Sequence, residues 1–117
     1  ANVYLKIGET ENAIQFYQMA IKEEPENVES MISLADAHTT NNEYMEAIEW
    51  LLKASSIRHN NPILNNKLGR IYETIGKYNE AIHCYNQLLL IDSRDKEANR
   101  HLKRCKELLE LEDSINL

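Results

Sequence analysis

The chain has 117 residues and a formal net charge of −6, an acidic balance that argues against general nucleic-acid binding, because neutralising phosphates takes clustered Lys and Arg. Its apolar fraction of 43% and charged fraction of 27% are those of an ordinary folded domain, and the longest apolar run, Leu88 to Ile91, excludes a transmembrane helix. Two cysteines, Cys84 and Cys105, form no CxxC and no disulfide framework, which leads us to expect a reducing, intracellular setting, cytoplasmic or nuclear.

No charged segment followed by an apolar one marks a secretory signal. The opening ANVYLKIG lacks Met and falls in a predicted helix, so the chain is read as a piece of a longer protein. In chain order, helices are predicted over 1–7, 10–23, 28–40, 44–57, 62–74, 78–91 and 96–112. Gly8 is read as a turn between the first two. Ile14, Tyr17 and Ile21 then follow the i, i+3, i+7 spacing of one buried face, and Pro25 falls just past a helix it cannot continue. The next two helices flank Asn42, and Ile48, Leu51 and Ser55 repeat the spacing. Asn61-Pro62 opens a helix. Gly76 closes it, and Ile82, Tyr85 and Leu89 carry the spacing again. Leu102, Cys105 and Leu109 form the apolar stripe of the last helix. Leu108, Leu111 and Ile115 run past it into the polar EDSINL, which is expected to fray.

These elements recur every 34 residues. The aligned columns are Gly8, Asn42, Gly76; Ala13, Ala47, Ala81; Ile14, Ile48, Ile82; Tyr17, Leu51, Tyr85; Ala1, Ala35, Gly69; and Leu34, Leu68, Leu102. Each has a physical reason. Gly or Asn suits a helix end with positive φ. Small residues mark where two antiparallel helices cross closely, since a larger side chain forces the axes apart. Lys103 continues the small-residue column and Lys106 the column Tyr4, His38, Tyr72 in the last helix, as expected where no second helix crosses it.

The period, the small residues in both helices, Tyr near the end of the first helix, Gly at the turn and Pro after the second together resemble the tetratricopeptide repeat. YLKIGETENAIQFYQMAIKEEP (4–25) and LGRIYETIGKYNEAIHCYNQLL (68–89) carry the resemblance best, and LADAHTTNNEYMEAIEWLLKAS (34–55) is looser. It implies an all-α fold, a right-handed α-solenoid of antiparallel helix pairs with a C-terminal capping helix. The expected organisation is a truncated repeat over 1–25, repeats over 26–59 and 60–93, a capping helix over 94–112 and a tail over 113–117.

No catalytic residue, cofactor or metal site is expected. The three glycines are used by the repeat, leaving no phosphate loop. Glu23-Glu24-Glu26 reads as a solvated loop. His101 and Cys105 lie four apart, but two ligands close no metal site; Cys105 is read as a core residue and His101 as exposed. Phe16, Trp50 and Cys84 share a column and are assigned to packing between repeats.

The columns that change in kind sit on first helices, which line the concave surface of a stacked array. Asn2, Asp36, Arg70, Arg104 form one; Ser33, Lys67, His101 another; Ile32, Asn66, Arg100 and Leu5, Thr39, Glu73, Glu107 lie beside them. The partner-binding candidates are therefore Asn2, Ser33, Asp36, Asn66, Lys67, Arg70, Arg100, His101 and Arg104. Charge is uneven: residues 1–57 carry 3 basic and 10 acidic side chains, whereas Arg94 to Lys106 hold 6 basic and 2 acidic. Lys67, Arg70, Arg100, His101 and Arg104 form a basic patch suited to an acidic peptide or a carboxylate terminus, with Asp36 and Glu29 making the other end acidic.

The expected function is a non-catalytic protein–protein interaction module that takes a peptide or helix of a partner in its concave groove, within a multi-subunit assembly. Nucleic acid and membrane are not expected as partners, and a monomer is favoured. One alternative is an adaptor for the acidic C-terminal tail of a heat-shock chaperone, which some tetratricopeptide proteins clamp with Lys and Asn from three first helices. Asn2 falls at a clamp position and Lys67 substitutes at another, but Ser33 and Ile63 depart from that pattern. The other alternative is a regulatory or targeting domain of a larger enzyme.

Overall fold

The computed structural model describes the backbone of residues 2–115 and the side chains of residues 9–115. Six helices account for the described secondary structure, with no strand among the described residues: α1 (Asn2–Glu23), α2 (Val28–Thr40), α3 (Tyr44–Ile57), α4 (Pro62–Thr74), α5 (Tyr78–Ile91) and α6 (Lys96–Ile115). They fall into two compact units, Ala1–His59 and Asn60–Leu117. None of the helices, over the described residues, is long and apolar enough to cross a membrane.

In the first unit, α2 packs against α1 and α3. Met31, Leu34, Ala35, Ala47 and Leu51 are fully buried there. In the second, α5 packs against α4 and α6, and Ala81, Tyr85, Leu88, Ala98 and Cys105 form one buried cluster with Tyr72, Ile82, Leu89 and Leu102 around it.

The spans of α2 to α5 are those predicted, because their ends are chemically marked. Asn42 and Gly76 adopt φ of 61° and 81°. Around each, the helix closes by the same hydrogen bonds: the Glu43 N–H donates to His38 O and the Lys77 N–H to Tyr72 O, both at 2.8 Å. This six-to-one bond is the signature of a left-handed helix stop. The helix starts repeat as well. Asn27 Oδ1 accepts from the Ser30 N–H at 3.1 Å, Asn61 Oδ1 from the Ile63 N–H at 2.9 Å, and Asp95 Oδ1 from the Ala98 N–H at 3.1 Å. The N-cap column Asn27, Asn61, Asp95 thus has the 34-residue period too, satisfying donors that a helix start leaves free. Asn60, unforeseen in the sequence, also takes a left-handed φ, of 55°.

Two expectations need correction. Gly8 does not break the first helix: α1 runs unbroken from Asn2 to Glu23 rather than folding back as helices 1–7 and 10–23. Glycine inside a helix costs about 1 kcal/mol relative to alanine, whereas a separate seven-residue helix is too short to be stable by its own hydrogen bonds. Continuing the ladder is the less costly solution. Ala13 is accordingly half-buried where Ala47 and Ala81 are fully buried, and Phe16 is 66% exposed, so its assignment to packing between repeats does not hold. At the other end, α6 continues past residue 112 to Ile115, in place of a frayed stretch. No proline or left-handed residue interrupts it there.

The small-residue column does mark a close crossing in the second unit. A Cβ at Gly69 would stand 3.0 Å from Cε1 and Cζ of Tyr85 and 3.3 Å from Cys84 Cβ.

Candidate functional site

Packing of α4 and α6 on α5 brings side chains of the two outer helices into contact, and a single carboxylate organises them. Glu73 lies in the last turn of α4, its side chain only 13% exposed. Its Oε2 accepts a hydrogen bond from the Tyr85 hydroxyl at 3.1 Å and faces His101 Nδ1 at 3.0 Å. Its Oε1 is buried without a hydrogen bond, with Arg104 Nε 3.9 Å away. The His101 ring stacks on Tyr85, centroids 5.4 Å apart and planes 17° from parallel. A buried carboxylate is tolerable only with such partners, because its desolvation otherwise costs several kcal/mol. Burial first, and then the Glu73 charge and hydrogen bond, raise the ionisation of the Tyr85 hydroxyl well above its ordinary range.

A second contact between the same helices is exposed. Arg70 Nη2 lies 3.3 Å from Glu97 Oε2, with side chains 51% and 65% exposed. Arg100 is exposed on α6, and Arg104 keeps 71% of its side chain in solvent despite its approach to Glu73. At the N-terminal ends of α4 and α6 a cleft of about 220 Å³ is lined by Pro62, Ile63, Asn66, Leu88, Asp95, Glu97 and Ala98.

The structure therefore brings Arg70, His101 and Arg104 together, through Glu73 and Glu97, and places Asn66 in the adjoining cleft. Lys67 is half-buried on α4. Ser33, half-buried, and Asp36, exposed, lie on α2 of the other unit. Asn2 lies outside the described side chains. His101 departs from the expectation of an exposed residue: the stacked ring and the Glu73 contact leave its side chain 20% exposed. Glu29, expected to make one end acidic, pairs with Arg58 at 2.8 Å. Its own backbone hydrogen bond first, and then Arg58, hold its carboxyl below the usual range.

Glu73, which the sequence places in a column that varies on first helices, is not among the partner-binding candidates. The available signal was a concerted change between units: where the first has Ala35, Thr39 and Leu51, the second has Gly69, Glu73 and Tyr85. A larger aromatic ring calls for a vacated Cβ, and its hydroxyl calls for an acceptor.

The chemistry of the cluster is that of a structural and charged surface rather than of an activated nucleophile. Burial pushes the thiols of Cys84 and Cys105 up to about 11, aided by the charge of Glu80 at the first and of Glu73 at the second. Both remain neutral and unreactive near pH 7. Among the described residues no three His, Cys, Asp or Glu side chains meet in a way that could hold a metal ion.

With this geometry in view, comparison with known proteins is informative. The family model of anaphase-promoting complex, cyclosome, subunit 3 matches residues 6–88. Superkiller complex protein 3 of Mus musculus is 26% identical over 106 residues, which are 91% of this chain and 7% of that protein. The chain thus spans a small part of the length of this relative. The first TPR domain of human RPAP3 is similar in structure, with a TM-score of 0.81 at 20% identity over 97% of this chain and 89% of that one. The second TPR domain of human RPAP3, in complex with the HSP70 peptide SGPTIEEVD, gives 0.75 at 26% identity over 90% and 88%. These likenesses show an all-α fold of the tetratricopeptide type.

Proposed function

The chain belongs to the tetratricopeptide-repeat family described by the anaphase-promoting complex, cyclosome, subunit 3 model, and from that premise we propose that it is a non-catalytic protein-interaction module, a scaffold segment of a multi-subunit assembly that takes a peptide or helix of a partner on its first helices. The observation that supports this reading is the placement of charge in the second unit. Arg70, Arg100 and Arg104 stand exposed on α4 and α6, while Tyr72 of α4 and Ala98, Leu102 and Cys105 of α6 pack into the cluster around Tyr85 and Leu88 of α5. Guanidinium groups presented this way favour carboxylates, which they can bind through two parallel hydrogen bonds. An acidic partner segment is therefore the chemistry of choice.

The second reading is an adaptor for an acidic chaperone tail. It is supported by the solved neighbour that carries the HSP70 peptide SGPTIEEVD. Against it stands Ile63, 58% exposed where the clamp pattern has a polar or basic side chain.

Fluorescence-polarisation titration separates the two. A labelled SGPTIEEVD is compared with a scrambled, C-terminally amidated version that keeps the acidic residues internal. Equal micromolar binding of both, weakened at least tenfold by Arg104→Glu, is the result expected for the scaffold reading. Binding that requires the free acidic terminus favours the adaptor. Silence from both peptides at millimolar concentration removes the acidic partner from either reading.

A further inference from the structure

The two carboxylates that touch the arginine face differ in one respect with functional weight. Glu73 is only 13% exposed and is held from two other helices, by Tyr85 and His101. Glu97 is 65% exposed and makes a single 3.3 Å contact to one guanidinium nitrogen of Arg70. From this contrast we infer that Glu97 is a built-in competitor: it occupies Arg70 in the free protein, and a carboxylate of the acidic partner displaces it. The inference rests on the acidic-partner reading given above.

Three features make the exchange inexpensive. The pair is monodentate and half solvated, so it is worth a factor of only about 1.5 to 5 in equilibrium. Glu97 sits in the first turn of α6, where a negative charge is favoured by the helix N-terminus whether or not Arg70 is near. It also borders the 220 Å³ cleft with Ile63 and Asn66, which leaves space for its side chain once released. An arriving carboxylate gains what Glu97 gives up and adds the neighbouring exposed cations, Arg100 and Arg104. Glu73 takes no part in the exchange, because removing it from Tyr85 and His101 would leave buried groups without partners. The face thus carries one fixed carboxylate and one displaceable one, and the displaceable one lowers affinity for any acidic segment until it is outcompeted.

A double-mutant cycle on the intact chain tests this, with labelled SGPTIEEVD as probe and circular dichroism as the check on folding. Glu97→Gln is expected to tighten binding about threefold. The same change in an Arg70→Gln background is expected to alter affinity by less than about 1.5-fold, since a competitor matters only where its target is present. An equal gain in both backgrounds reduces the effect to the removal of a nearby negative charge and overturns the inference. So does unchanged affinity on Glu97→Gln while the wild type binds and Arg70→Glu does not, an outcome that leaves the acidic-partner reading standing. Failure of every variant to bind at millimolar peptide overturns both together.

Discussion

The two units solve the same packing problem with different residues. In the first, Leu51 is fully buried with Ala35 at the small-residue position, and Thr39 turns its hydroxyl back onto Ala35 O at 2.8 Å. In the second, Tyr85 is fully buried, Gly69 leaves room for its ring, and Glu73 accepts its hydroxyl while joining His101 of α6. Where the first unit sets leucine beside a small residue, the second builds a polar, three-helix junction. In the second unit the phenol at the Leu51 column comes with changes at two further positions, and the carboxylate so recruited ties α6 down; Tyr17, the other phenol of that column, lies in the unbroken α1, where no such hairpin forms. Sequence columns that vary together are in this sense a record of contact.

The comparison can be broken by making the second unit imitate the first. Tyr85→Leu is expected to have the largest effect, about 3 kcal/mol in urea unfolding, from lost burial and from a carboxylate stripped of its donor. Adding Gly69→Ala and Glu73→Thr, the residues of the first unit, should restore at least half of that. A triple variant no more stable than the single one would show that the three columns are not coupled. Next in size, Glu73→Ala alone is expected to cost about 2 kcal/mol, because it leaves the Tyr85 hydroxyl and the His101 ring without their acceptor. Thr39→Ala, its counterpart in the last turn of α2, should stay within about 0.5 kcal/mol by the same measurement, since a hydroxyl bonded to the carbonyl four residues back in its own helix contributes little.

Cysteine separates the units too, as both thiols lie in the second. Their folded-state ionisation near 11 stands above the ordinary 9.0. Below pH 9 both folded and unfolded chains keep these protons and the thiols are neutral to stability. As pH climbs from 9 to 11, the unfolded chain releases protons that the folded one retains, so stability falls, by about 1 kcal/mol per thiol at pH 10. Urea titrations at pH 8 and pH 10 should show this loss in the wild type and a smaller one in Cys84→Ala/Cys105→Ala.

Gly69→Ala sharpens the comparison through a change of sign. Helix propensity favours alanine by about 1 kcal/mol. Against that, the new Cβ would press on a fully buried ring at 3.0 Å, and the ring is held by its hydroxyl and by its stack on His101. Overpacking of a constrained core costs about 1 to 3 kcal/mol, so the net is a loss near 1 kcal/mol. In a Tyr85→Leu background the same substitution should become stabilising. The smallest contrast concerns the turns: Gly76→Ala, at a φ of 81°, should cost about 1 kcal/mol, while Asn42→Gly should change stability by less than about 0.5 kcal/mol. Differential scanning calorimetry resolves both.

The ends of α2 to α5 were legible in the sequence because each is written in residues with a local physical meaning, such as Asn61-Pro62 at a start and Asn42 or Gly76 at a stop. Gly8 shows where that reading fails. Glycine permits a left-handed turn without compelling one, and the alternative, an unbroken helix, keeps every backbone bond in place. The candidate face was legible only by helix. Arg70 lies in α4 and Arg104 in α6, within the helices that periodicity outlined, yet periodicity aligns residues by their position in the repeat, not by what they touch. The Glu73–His101 contact joins positions 28 apart in the chain, an offset that no column of a 34-residue period aligns. The pairing of Arg70 with Glu97 is hidden for the same reason.

The fit between Gly69 and Tyr85 also constrains how such a chain can be rebuilt. The two residues belong to different helices of one hairpin, α4 and α5. Trading a single helix between hairpins would set alanine against the phenol ring, which is overfull, or glycine against leucine, which is hollow. Trading the entire hairpin carries both halves of the fit along. For duplication, recombination or grafting, the smallest portable piece of this protein is two helices and the turn between them.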